Sequence, residues 1–212
     1  MARSIGIIVL ATAGALWSPP TYQVHAQGPQ WCPLAGTVTK GTNSRGEYSV
    51  THKGADPQDS SVCISVAEGP GIGGFYFGKT IRRIYGWYDI STNSLTSETE
   101  KRARDGLGAV LSGRSQEVSY EMTLNRNNTG WSGTESWKRT GQAILSIGGR
   151  PTSVVTLRET FKGGANTNYD GYWDIWYDPA LHIIVKAEQH STGGPIRFAS
   201  DVVSISSPSP SK

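Results

Sequence analysis

The chain has 212 residues, 26 of them glycine, and a formal net charge of +3 from 20 basic and 17 acidic side chains. So small and dispersed a charge excludes an electrostatic surface built for nucleic acid or for an anionic membrane. The glycine content, with abundant serine and threonine, suits short strands joined by turns.

Residues 1–26 read as a secretory signal. Arg3 supplies a positive start, Ile5 to Trp17 is an apolar run too short to span a bilayer comfortably, and Val24-His25-Ala26 offers a small-residue cleavage site. The short run disfavours the alternative, an uncleaved anchor. Cleavage after Ala26 removes Arg3, lowers the charge to +2 and leaves no membrane-spanning segment. What remains, about 185 residues, is a single-domain size. An exported chain, periplasmic or secreted, meets oxidising conditions, so Cys32 and Cys63 are expected to pair. Their bridge would contribute roughly 3 to 4 kcal/mol in the chain-entropy model. Cys32 follows Pro29-Gln30-Trp31 and so does not look like a lipid-attachment cysteine. With no histidine at ligand spacing, the two cysteines make no zinc site.

Turn residues then recur every eight to twelve positions, the spacing of an all-β domain. Thr37 to Lys40 and Glu47 to His52 flank Gly41 to Gly46 as a hairpin. A short strand is expected around Val62 to Val66. Gly69 to Gly74 is a glycine-rich loop without nucleotide-binding spacing or a following helix, and a strand-like stretch runs from Phe75 to Ile90. Ser97 and Glu100 form a capping box for one helix ending near Leu111, with Gly113 as its stop. Gly106 and Gly108 each weaken it by roughly 1 kcal/mol relative to Ala. From Gln116 the chain reads as a meander: Val118 to Leu124, Trp131 to Arg139, Gln142 to Ile147, Ser153 to Phe161, an aromatic hairpin, and Ile196 to Ile205. The domain is expected to fill 27–205, and the Ser/Pro-rich tail 206–212 to be disordered.

The hairpin, Tyr169 to His190, is the most informative stretch. Period-2 alternation puts Trp173, Ile175 and Tyr177 on one face, and Asp170, Tyr172, Asp174, Trp176 and Asp178 on the other. A three-residue loop pairing Asp178 with His182 matches the apolar faces of the two strands. It sets Trp173 opposite Ala187, Ile175 opposite Val185, Tyr177 opposite Ile183, Asp174 beside Lys186 and Asp170 beside His190.

Thr156-Leu-Arg-Glu-Thr160, Trp176-Tyr-Asp-Pro179, Ile184-Val-Lys186 and the closing Val203-Ser-Ile205 resemble the C-terminal half of uncharacterised exported bacterial β-proteins, TapB-like and related families of unknown function. Cys32-Pro-Leu-Ala-Gly-Thr37, Gly54-Ala-Asp-Pro57 and Cys63 look like a recurring N-terminal block of such proteins. The resemblance covers about half of the mature chain. It implies a periplasmic location and a half-barrel-like fold, and it carries over no catalytic residue. The expected fold is mainly β, a curved antiparallel sheet, half-barrel or sandwich-like, with one short helix.

The wet hairpin face suggests two kinds of chemistry. Sugar rings stack on aromatic side chains, and Asp170, Asp174 and Asp178 alternate with Tyr172 and Trp176. Aspartates four apart on a strand lie roughly 13 to 14 Å from each other. Glycoside hydrolysis would therefore need a carboxylate from another strand, such as Glu159 or Glu188. Cross-strand Asp–Lys and Asp–His pairs on a solvated face account for the same residues without catalysis. No nucleophile elbow lies near His52, His182 or His190, and His190 with Asp170 is too few ligands for a metal. Trp31, Trp87, Trp131, Trp137 and Trp173 are expected to fill the core. Tyr172, Trp176, Asp174 and Lys186 are the candidate ligand contacts, with no catalytic residue, metal or cofactor. The expected function is an exported, non-enzymatic protein binding a ligand or envelope component. A carbohydrate-active hydrolase and a purely structural envelope protein are the alternatives.

Overall fold

The computed structural model describes residues 32–55, 57, 62–71, 74–75, 78–83, 86–89, 93–94, 97–126, 129–163, 170–191 and 196–208. The signal segment, its cleavage site, the tail from 209 and the side chains of Trp31, Trp87 and Trp131 lie outside these. The elements are β1 (Val38–Asn43), β2 (Gly46–Ala55), β3 (Val62–Glu68), β4 (Pro70–Gly71), β5 (Gly74–Phe75), β6 (Gly78–Arg83), β7 (Gly86–Asp89) and β8 (Asn93–Ser94). After these come α1 (Ser97–Leu111), β9 (Glu117–Arg126), β10 (Thr129–Ile147), β11 (Arg150–Gly163), β12 (Asp170–Asp178), β13 (Ile183–Ser191) and β14 (Ile196–Ser206).

Twelve strands build one open antiparallel sheet in the order β7-β6-β3-β2-β1-β14-β13-β12-β11-β10-β9-β8. The mainly β class with one helix is as expected. The long strand read at Phe75 to Ile90 is instead divided among β5, β6 and β7. From β9 to β14 the sheet is the expected meander, because short turns force sequential strands to pair antiparallel. The closing step is non-local: β14 lies against β1, pairing Val38 with Ser206 and Asn43 with Ser200. β14 thus runs one residue past the expected boundary, and Pro208 packs against Gly36. Cys32, itself buried, is bridged to Cys63 on β3, with Cα atoms 5.3 Å apart.

One correction concerns β10. The two strands read at 131–139 and 142–147 are a single 19-residue strand. A register shift between Arg139 and Gly141 lets it bend without turning back. Such a bulge keeps the strand running while re-aiming its side chains.

The helix ends where the sequence says it should. Gly113 takes φ 77°, its N–H bonds to the Val110 carbonyl at 3.1 Å, and the Arg114 N–H bonds to the Ala109 carbonyl at 2.8 Å. This is the Schellman arrangement that glycine permits. The Arg139 guanidinium takes a further end carbonyl, that of Leu111, at 2.8 Å. Gly106 has a packing role that propensity alone hides, since a Cβ there would lie 2.2 Å from Val118 Cγ2. Its absence lets α1 sit down on β9.

The core has two clusters. Ala103, Leu107 and Val110 of α1 cover Tyr120, Trp137, Val155, Leu157, Ile175, Tyr177 and Ala187. The second cluster unites Ile147, Val154, Ile183, Val185 and Val202. Val154 and Val155 are consecutive, so they point to opposite faces of the sheet, and the second cluster lies on the side away from α1. There the tip of the β10–β11 hairpin bends over the sheet as far as β14, where the Gly148 N–H bonds to the Val203 carbonyl at 2.9 Å. The apolar residues fill the inside of that curl.

Candidate functional site

The aromatic hairpin forms, but with a different register. β12 and β13 pair Asp178 with Ile183, so the loop has four residues, Pro179 to His182. Two local features close it. The Asp178 carboxylate accepts from the N–H groups of Ala180 at 2.8 Å and Leu181 at 3.1 Å, and His182 takes φ 58°. A turn one residue longer than expected would by itself put every side chain on the wrong face. A bulge between Trp176 and Tyr177 supplies a second residue of offset and restores the expected faces from Lys186 to His190. Nearer the turn, Ile183 and Val185 join the second cluster and Ile184 packs on the α1 side, the reverse of the expected alternation. Ile175 therefore sits opposite Ala187 rather than Val185, Trp173 opposite Gln189, and Tyr177 opposite Ile184. The expected pairs Asp174–Lys186 and Asp170–His190 are replaced by Asp174–Glu188, Trp176–Lys186 and Tyr172–His190.

This register gathers the candidate residues Tyr172, Asp174, Trp176 and Lys186 on the face opposite α1. Asp174 and Glu188 are like charges directly opposite each other, which is unfavourable unless each has a counter-charge. Both do. Arg158 on β11 grips Asp174 with two bonds, Nε to Oδ1 at 2.8 Å and a terminal nitrogen to Oδ2 at 3.0 Å. Lys186 Nζ lies 2.9 Å from Glu188 Oε1 and 3.9 Å from Asp201 Oδ1. The Asp174 hydrogen bond raises the Arg158 pKa, and the Glu188 hydrogen bond raises that of Lys186. Both ion pairs are open to water, so each is worth at most about 1 kcal/mol.

The aromatic rings are engaged as well. His190 stacks on Tyr172, with ring centroids 4.6 Å apart, and the Arg158 guanidinium carbon lies 4.2 Å from the Tyr172 centroid. These partners come from the strands on either side of β12. Lys186 Nζ stands 4.9 Å from the centroid of Trp176, whose half-buried indole packs against the second apolar cluster. Trp176 thus marks the boundary between the apolar and charged ends of the face. His190 Nε2 lies 3.4 Å from Asp174 Oδ2 and 3.7 Å from Glu188 Oε2, so those oxygens are within about 7 Å of each other.

The side under α1 holds polar groups that were not foreseen as a unit. Glu135 is fully buried, and Trp137 Nε1 donates to its Oε1 at 2.6 Å and to the Tyr120 hydroxyl at 3.1 Å. Burial, reinforced by the Glu135 charge, drives the Tyr120 pKa far up. Glu159, considered above as a partner carboxylate, is buried on this side too, opposite Trp137 and Trp173. It therefore cannot join Asp174, which points the other way. Alternation already places Glu135 on the face of Trp137, the one signal that could have revealed this pairing. Trp173 is only half-buried at the cluster's edge, beside Phe198. Among the described residues no three His, Cys, Asp or Glu side chains converge as a metal site, and no helix is long and apolar enough to cross a membrane.

No protein-family model matches the chain, and no curated protein shows significant similarity to it. Among solved structures it is similar to the hypothetical lipoprotein YmcC from Escherichia coli, with 16% identity and TM-score 0.49 over 89% of this chain and 91% of that one. It is similar to a candidate exported protein with a YmcC-like fold from Bacteroides fragilis, with 10% identity and TM-score 0.40 over 81% and 94%. It is also similar to a candidate lipoprotein from Parabacteroides distasonis, with 13% identity and TM-score 0.44 over 84% and 99%. The fold assignment rests on the strand order and register given above.

Proposed function

We propose that the chain is an exported, non-enzymatic protein of the envelope, of the TapB-like kind its motifs resemble. In this reading it holds a ligand or envelope component on the face bearing Tyr172, Asp174, Trp176 and Lys186. The observation that carries the proposal is an asymmetry of the strands around the hairpin: α1 covers the apolar cluster on one side, while the other presents a half-exposed indole beside a row of charged side chains. The Cys32–Cys63 bridge supports an oxidising destination. It also uses both thiols of the chain, leaving neither to carry a thioether-linked lipid.

The hydrolase alternative draws on the Asp174–Glu188 pair, whose spacing falls within reach of carboxylate-pair chemistry. Against it, each carboxylate is already engaged in a cross-strand or same-strand ion pair, Asp174 with Arg158 and Glu188 with Lys186.

The test is amide chemical-shift mapping of the mature protein against glycan and lipid fractions of the envelope, with intact mass measured on the exported material. The expected perturbations lie on β11 to β13 around Trp176, weaken with Trp176→Ala, and accompany a mass lacking residues 1–26 and two hydrogens. Perturbations confined to the α1 side, or binding indifferent to Trp176→Ala, would refute the site.

A further inference from the structure

We infer that the occupant of this face is a single-chain amphiphile with a zwitterionic headgroup, a step that rests on the binding face proposed above and names its ligand class. The face is graded along the strands. Its turn end is apolar and incompletely covered. Ile147, Val154, Ile183, Val185 and Val202 are buried, but Ala143, Leu145, Trp176, Leu181 and Ile205 around them are only half-buried. The cluster under α1, by contrast, is capped by three fully buried helix residues, Ala103, Leu107 and Val110. The bent hairpin tip, tied to β14 through Gly148 and Val203, walls the apolar end on one side.

Beyond Trp176 the same face becomes charged, and the charges are of both signs. Arg158 and Lys186 are matched against Asp174, Glu188 and Asp201. A purely anionic or cationic headgroup would meet like charges here, whereas a zwitterion can exchange its two ends for the existing ion pairs. A purely polar glycan fits less well. Tyr172 has both His190 and Arg158 on it, whereas the contact over Trp176 is Lys186 Nζ at 4.9 Å, so of these two rings Trp176 is the less covered. Trp176 suits an amphiphile's junction, since an indole is comfortable where an apolar region meets a wet one. An acyl chain laid over Leu145, Leu181 and Ile205 would remove apolar surface from water while the headgroup reaches Lys186 and Glu188.

The experiment is isothermal titration of the full mature protein with dodecylphosphocholine below its micelle concentration, beside phosphocholine and a neutral oligosaccharide. Leu145→Lys places a charge on the apolar rim and should weaken binding tenfold or more. Ile144→Lys is the control: Ile144, the neighbour of Leu145 on β10, points to the opposite face and is 73% exposed, so affinity should stay within twofold. Leu181→Lys on the hairpin loop repeats the test should Leu145→Lys fail to fold. Equal affinity for phosphocholine and dodecylphosphocholine would overturn the amphiphile while leaving a polar binding face standing. Preferential binding of the oligosaccharide would do the same. Loss with Ile144→Lys equal to that with Leu145→Lys, or no amphiphile binding, would also overturn it. A dimer dissolved by Leu145→Lys in the absence of amphiphile would overturn it in favour of a second copy of the chain.

Discussion

Whether the proposed binding face can be altered without unfolding the protein turns on two tryptophans. Trp137 is fully buried beneath α1 and donates to both Glu135 and Tyr120. Truncation to alanine costs about 3 to 5 kcal/mol for the ring and its cavity. Depriving a buried carboxylate and hydroxyl of their shared donor adds about 1 to 3 kcal/mol. Together these approach the whole stability of an ordinary domain, about 5 to 15 kcal/mol, so Trp137→Phe is the measurable companion. Trp176 is half-buried at an open rim. Burying roughly half of a 150–250 Å² side chain at about 25 cal/mol per Å² gives about 2 to 3 kcal/mol, and water can fill the space left. Urea unfolding followed by far-UV circular dichroism should therefore show a modest midpoint shift for Trp176→Ala and an unchanged slope. Trp137→Ala should be unfolded or nearly so. A Trp176→Ala variant as unstable as Trp137→Ala would show that Trp176 is core and that the face has no free platform.

Two further outcomes follow from local geometry. Gly106→Ala should destabilise by about 1 to 3 kcal/mol through overpacking, despite a gain of up to about 1 kcal/mol in helix propensity, because the new Cβ meets Val118 at 2.2 Å. Urea midpoints should show Gly106→Ala/Val118→Ala less unstable than the two single costs combined, and a stabilising Gly106→Ala would refute the close contact. Burial lowers the His182 pKa against the opposing pull of Asp178, so the unfolded chain takes up that proton first as pH falls. The stabilisation linked to His182 is complete above its ordinary value, roughly 6.5, and is lost as pH drops from there through the lowered folded value. His182→Asn, tolerant of positive φ, should lose less stability than wild type between pH 7.5 and 5.5 in urea melts. Equal losses would contradict the assignment.

Much of the fold was legible because its cues are local. The capping box and Gly113 bounded α1, the alternation of residues 170–178 sorted the faces of β12, and two cysteines behind an expected export signal implied their pairing. Face identity survives a register error of two residues, since side chains repeat every two, so the candidate residues stayed together even though each partner was misassigned. Register itself was not legible. It depended on Asp178 bonding into its own loop, on His182 accepting a positive φ, and on a bulge that no residue type announces. The same limit hid the continuity of β10, where a bulge looks like a turn. What surrounds the site was decided by contacts between residues far apart in sequence: β14 closing on β1, the hairpin tip reaching Val203, and Arg158 meeting Asp174 across a strand pair. Alternation tells which side a residue faces. Only the packed sheet determines what it faces, because cross-strand partners follow from the sum of every turn and bulge between them.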